Sequence, residues 1–180
     1  MTRRLILFAL PLSFILCGCG YQHNGSFDGS STGQGAYKWA SLYREDISTV
    51  SVPIFANKDF RRGIEFGLSN AVIKQMEAHS PYRVAPRDRA DTILEGEIIT
   101  AGLSTLSADT RTAIPQEQLY ILTVNFRWKD LRSGRILLER RNYQQTAPFY
   151  GPLGEGEFTG SQSAIERLAL AIVQEMQADW

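Results

Sequence analysis

The sequence predicts an α+β domain: two helices packed on one face of a mixed, mainly antiparallel sheet of about four strands. Three observations carry this reading. Residues 118–130, QLYILTVNFRWKD, alternate so that Tyr120, Leu122, Val124, Phe126 and Trp128 share one face, opposite Leu119, Ile121, Thr123, Asn125 and Arg127. That is the period-two pattern of a half-buried strand. Near the C-terminus, Ile165, Leu168, Ala169, Ile172, Val173 and Met176 fall on one helical stripe. Strand and helix patterns then follow the order strand, helix, two or three strands, helix, which lacks the regular alternation of a parallel α/β fold.

In chain order, Ile47 to Phe55 carries Val50, Val52 and Ile54 on one parity, and Pro53 marks the edge or end of this first strand. Asn57 or Asp59 can cap the helix that follows, where Phe60, Ile64, Leu68, Ala71, Val72 and Met76 recur at helical spacing. Gly63 and Gly67 weaken that helix by roughly 1 kcal/mol each relative to alanine, so tight packing on a sheet must hold it. SPYRVAP is a short extended element. In ADTILEGEIITAGL, Leu94, Gly96 and Ile98 face one way and Glu95 and Glu97 the other, as in a strand with one buried face. STLSADTRTAIPQ reads as a polar connection to the long strand. DLRSGR then supplies a turn with Gly134 at a position suited to positive φ, and ILLERRNYQQ returns as the hairpin partner. APFYGPLGEGEFTG reads as loop, and Ser163 with Glu166 forms a capping box for the last helix.

The N-terminal residues belong to another logic. MTRR is a positive n-region and Leu5–Leu16 is a 12-residue apolar run broken by Pro11, too short for a ~30 Å hydrocarbon core. It reads as an export signal over residues 1–18 that is removed. Leu16-Cys17-Gly18-Cys19 resembles a bacterial lipobox, in which the final cysteine is acylated and becomes the first mature residue. Cys19 is therefore the predicted lipidation site, and Cys17 leaves with the signal. A disulfide between them would close a very short, strained loop, and two thiols without further ligands make a poor metal site. Residues 19–36 form a Gly- and Ser-rich tether, and residues 37–180 form the folded domain. The mature chain, Cys19 to Trp180, loses Arg3 and Arg4 and so keeps 17 basic against 19 acidic side chains. That balance gives no electrostatic footprint for nucleic acid.

Little in the sequence suggests catalysis, a metal or a cofactor. His23 and His79 are the only histidines, and neither has a second ligand or a relay partner at a telling spacing. His79, at a predicted helix C-terminus, complements the helix dipole. Glu95 and Glu97 lie on one side of a strand, roughly 7 Å apart, a spacing compatible with acid/base work on a sugar and equally with a solvated strand face. GPLGEG lacks the flanking strand and Lys-Ser/Thr of a phosphate loop. The cations are uneven: Arg61 and Arg62 precede the first helix, while Lys129, Arg132 and Arg135 flank the hairpin turn and Arg140 and Arg141 follow. Lys129, Arg132 and Arg135 are candidate contacts for the phosphates of an amphiphilic glycolipid. Lysine and arginine also serve to keep turns and edge strands soluble.

Taken together, CGY at the lipobox cysteine, ISTVSVPIFANKDFRRGIEFGLSNAVIKQM, ADTILEGEI, DLRSGRILLER and AIERLALAIVQEMQADW resemble the LPS-assembly lipoprotein LptE family, from about Ile47 to the C-terminus. The resemblance implies a non-enzymatic outer-membrane lipoprotein, lipid-anchored on the periplasmic face. Its small domain would plug and help assemble the LptD β-barrel and assist delivery of lipopolysaccharide to the outer leaflet. Gly20, in place of the aspartate that favours inner-membrane retention in such lipoproteins, fits that address. The tether from His23 to Ala36 departs from the family, whose fold usually starts soon after the cysteine. The alternative is an interaction or pilot lipoprotein of another envelope assembly with a similar domain.

Overall fold

The computed structural model describes residues 41–177, so the signal segment 1–18, Cys19 and the tether lie outside the described residues. Pro53 sets the form of the first extended segment. β1 (Thr49–Ser51) stops short of it, and pairing resumes at β2 (Ala56–Asn57). Both run parallel to the same neighbour, β4 (Thr92–Ala108), with Val50 opposite Thr92 and Ala56 opposite Glu97. β3 (Arg83–Val84) lies parallel to β1 on its outer side. β5 (Pro115–Asp130) and β6 (Ile136–Phe149) complete the sheet as antiparallel neighbours, giving the order β3-β1-β4-β5-β6 with β2 also on β4. Helices α1 (Ile64–His79) and α2 (Glu157–Glu175) pack together against this sheet, and a 3₁₀ turn at Gly151–Leu153 leads into α2.

The core is what the two periodicities dictate. Tyr120, Leu122, Val124, Phe126 and Trp128 are all buried beneath the α2 stripe of Ile165, Leu168, Ala169, Ile172, Val173 and Met176. Leu68, Val72 and Met76 add the buried side of α1. The polar groups that enter this core are bonded: the Trp128 indole N–H donates to Thr92 Oγ1 at 2.9 Å, and the Phe55 N–H donates to Ser69 Oγ at 2.9 Å. Tyr82 meets the Tyr43 ring edge-on and the Trp128 ring at a tilt, and so joins the first described residues to the sheet. Among the described residues no helix is long and apolar enough to cross a membrane.

Several expectations are corrected. Among the described residues the sheet has six strands rather than about four, because the first strand divides around Pro53 into β1 and β2 and the short extended element SPYRVAP pairs as β3. The stretch expected to be a polar connection is mostly strand: β4 runs to Ala108 and β5 starts at Pro115, leaving only Asp109–Ile114 as the turn. Both faces are exposed there, so burial imposes no alternation, and bulges after Ile98 and Thr105 break the period. α1 starts at Ile64 instead of Phe60, after Gly63 at φ 91°. Asn57 and Asp59 do not cap it, and Phe60 is 97% exposed. Gly67 packs against α2, where a Cβ would lie 3.4 Å from Ile165 Cδ1, rather than on the sheet. α2 begins at Glu157, inside the expected loop, and places Ser163 in the helix interior, so the capping box is not formed. β6 likewise extends to Phe149, three residues into the stretch from Ala147 that reads as loop. Gly134 does adopt the expected positive φ, at 72°.

Candidate functional site

The β5–β6 turn positions the predicted cations. Its geometry is set by Asp130, whose Oδ1 accepts the Arg132 N–H at 2.8 Å and whose Oδ2 accepts the Ser133 hydroxyl at 2.8 Å. Those bonds, the Ser133 hydroxyl first, hold the Asp130 carboxyl below the usual carboxylate range. The Gly134 N–H donates back to the Asp130 carbonyl at 2.9 Å, which requires the left-handed conformation that glycine supplies. Lys129, Arg132 and Arg135 are thereby carried on one tight turn at the end of the sheet.

The turn is pinned to the start of β4 through Asp91. This carboxylate accepts from the Arg132 guanidinium, from Thr49 Oγ1 at 2.8 Å, and from the Ser48 and Thr49 N–H groups at 3.2 and 3.0 Å. The Arg132 bond and then the Thr49 hydroxyl bring its pKa down to about 2. Arg132 therefore stands already engaged. Arg140 pairs with Glu175 at 2.7 Å and Arg141 with Glu139 at 2.8 Å, which removes both from the open hairpin charge. Among the described residues, Lys129 and Arg135 have no carboxylate partner. Arg132 bonds Asp91 through Nη2, and its side chain is otherwise largely exposed.

The other sequence candidates resolve into structural roles. Glu95 pairs with Arg127 at 2.9 Å, and Glu97 pairs with Lys58 at 2.7 Å while accepting from Asn125 at 2.9 Å. The Lys58 bond, then Asn125, lowers the Glu97 pKa. A two-carboxylate hydrolytic site needs one member kept protonated as the acid. Here both are committed to cations along a shallow polar cavity of about 440 Å³ that also meets Arg140 and Arg141. Arg61 bonds Glu157 at 3.0 Å, donates to the Ala101 carbonyl and lies 5.8 Å from the Tyr120 ring centre, fastening the loop before α1 to β4 and α2. His79 closes α1, and its carbonyl accepts the Tyr43 hydroxyl at 2.6 Å.

At the opposite end of the sheet lies a group of side chains that the sequence reading missed. Leu103, Leu106 and Ile114 on the β4–β5 hairpin and Tyr150, Leu153 and Phe158 around the 3₁₀ turn are all exposed, Leu153 by 76%. Tyr150 fixes this end, its hydroxyl donating to Glu117 Oε1 at 3.1 Å and its N–H to Glu155 Oε2 at 2.8 Å. The signal that could have revealed it is the recurrence of Leu103, Leu106 and Ile114 in an otherwise polar stretch. Leu103 and Leu106 lie well along β4 from Thr92, so roughly 35–45 Å separates this apolar end from the cationic turn at about 3.3 Å per residue.

The lipopolysaccharide-assembly LptE family model matches residues 47–179, well over half of the 180-residue chain. The chain belongs to the LptE family. Its fold is also found in solved structures of low sequence identity. An uncharacterized lipoprotein B from Nitrosomonas europaea matches with a TM-score of 0.54 at 12% identity, covering 82% of this chain and 92% of that one. The PelC dodecamer of Paraburkholderia phytofirmans gives 0.53 at 14%, covering 77% and 96%. The hypothetical protein CT253 of Chlamydia trachomatis gives 0.51 at 7%, covering 74% and 99%. None of the curated proteins matches. At such identities these likenesses establish the fold that this LptE-family domain shares, and the match to the family model supports a lipopolysaccharide-assembly lipoprotein.

Proposed function

We propose that this protein is a lipid-anchored outer-membrane lipoprotein that plugs and helps assemble an LptD-type β-barrel and assists delivery of lipopolysaccharide to the outer leaflet. The observation that carries this reading is the family match across residues 47–179. Cys19, acylated after removal of residues 1–18, is the anchor on the periplasmic face, and the tether to residue 36 gives the domain roughly 20 Å of reach. Two or more acyl chains make such attachment stable. The protein acts by binding, without an enzymatic step or a cofactor, and has no nucleic-acid partner.

Lys129, Arg132 and Arg135 are the contacts for glycolipid phosphates in this account. A phosphate can accept from the Arg132 guanidinium N–H groups that Asp91 leaves free, while Lys129 and Arg135 supply charge from either side of the turn. The apolar end lies too far along the sheet to meet the acyl chains of the same molecule.

The test is depletion of the chain in its own host. Folded barrel and surface lipopolysaccharide should both fall. A cell that retains both at normal levels overturns the proposal. The second reading, a pilot lipoprotein of another envelope assembly, draws on the dodecameric PelC structure, which shows this fold in another setting. It expects depletion to disturb a different complex.

A further inference from the structure

Among the described residues the sheet presents three open edges, and two of them are blunted. β3 is two residues long and is soon followed by Pro86. β6 carries Arg140, Arg141 and Pro148, and it bulges at Arg141–Asn142, where two residues face Asn125 alone and the Asn142 N–H donates to Asn125 Oδ1 at 2.8 Å. Charge, proline and bulges are the devices that keep an edge from pairing.

On β4 the stretch from Gly102 to Thr105 has none of them, and the register next breaks beyond it, between Thr105 and Ala108. β1 and β2 cover β4 only as far as Ile98, whose carbonyl accepts the Lys58 N–H at 3.0 Å. At Ala101 two side chains stand where a neighbouring strand would: Asp59 accepts the Ala101 N–H, and Arg61 donates to the Ala101 carbonyl. Alternation along the strand sends the N–H and C=O of Leu103 and Thr105 to that same side, away from β5. Among the described residues nothing bonds them there. The segment reads GLST, without a charge or a proline, and a Cβ on Gly102 would touch nothing within 4 Å.

We propose that the Gly102–Thr105 edge of β4 receives an extended, uncharged segment of the β-barrel partner as an added strand. This rests on the barrel reading given above. Strand addition draws its affinity from main-chain hydrogen bonds, which this edge offers in register, and its selectivity from side-chain contacts, for which Leu106 and Ile114 are exposed alongside. The size of the edge identifies the occupant. A strand of this length buries a few hundred Å² per partner, well under the ~800 Å² of a stable interface. A second copy held by this edge alone would dissociate, whereas a partner already held by other contacts would keep its strand in place.

The experiment uses the full-length lipidated chain in its host, with a photocrosslinking amino acid at Thr105 and, separately, Thr105→Pro and Thr105→Ser. Proline removes an outward N–H without touching the β4–β5 ladder, a position that an edge strand tolerates. The proposal expects a Thr105 crosslink to the barrel, and at least tenfold less barrel retained by Thr105→Pro with Thr105→Ser unaffected, at unchanged melting temperature of the purified domains. If the native chain retains the barrel but Thr105 neither crosslinks to it nor responds to proline, the edge proposal is overturned and the barrel reading stands. If the native chain retains no barrel, both fail. A Thr105 crosslink to a second copy also overturns the edge proposal. Should Thr105→Pro lower the melting temperature, amide exchange decides: slower exchange at Leu103 and Thr105 in the native complex than in the free chain supports the added strand, and equal exchange overturns it.

Discussion

Removing the charge of Asp91 should loosen the cationic turn and leave the fold in place. In Asp91→Asn the side chain keeps one oxygen for the Thr49 and Ser48 N–H groups but loses its charge-assisted bond to Arg132. A drop in pKa from 3.8 to about 2 corresponds to about 2.4 kcal/mol at 1.36 kcal/mol per unit. Solvent screening cuts that to about 1–2 kcal/mol, because the Arg132 side chain is 72% exposed even though that of Asp91 is only 22% exposed. A folded-state pKa below the unfolded one stabilises the protein above the unfolded value, and the contribution fades as pH falls through the folded value. Urea unfolding of the wild type and Asp91→Asn should therefore differ by about 1–2 kcal/mol at pH 7, shrink below pH 4 and converge near pH 2. A difference that is the same at pH 7 and pH 2, or absent at pH 7, would refute the electrostatic pin.

Gly160→Ala should cost about 1–3 kcal/mol, because the new Cβ would sit 2.5 Å from Phe149 Cδ1 in the buried seam between α2 and β6; thermal melting reads it. Leu168→Ala, in the fully buried centre of the α2 stripe, should cost about 2–5 kcal/mol by denaturant titration. Lys129→Ala with Arg135→Ala should weaken glycolipid binding at least tenfold at low salt and spare stability, since neither side chain has an ion pair among the described residues; unchanged binding would reduce the turn to a solubility feature. Cys19→Ser should move the chain from the membrane fraction to the soluble periplasm, measured by fractionation.

The parts of the fold with strong periodicity were legible from residues alone. Tyr120 to Trp128 and Ile165 to Met176 form the buried faces that their spacing implies, because burial on one side enforces the pattern. The tip of the β4–β5 hairpin was not legible, since a strand exposed on both faces has no side to hide and its bulges reset the phase. The first turns of both helices were misplaced for a related reason. Gly63 and Gly156 are their N-caps, neither with a side-chain bond, while the residues that look like caps are used elsewhere, Asp59 on Ala101 and Asn57 on Glu65. Of the candidate site, the cations were visible but their state was not. That Arg132 faces Asp91 across 41 residues, and Arg140 faces Glu175 across 35, follows only from the sheet and the seat of α2 upon it.

Isolation of the tagged, full-length chain from detergent-solubilised outer membranes puts the partnership with a barrel to the test. A large β-barrel protein should be recovered with the chain in near-equal amount, resistant to salt. Recovery of the chain alone, under conditions that keep other barrel complexes intact, would contradict it.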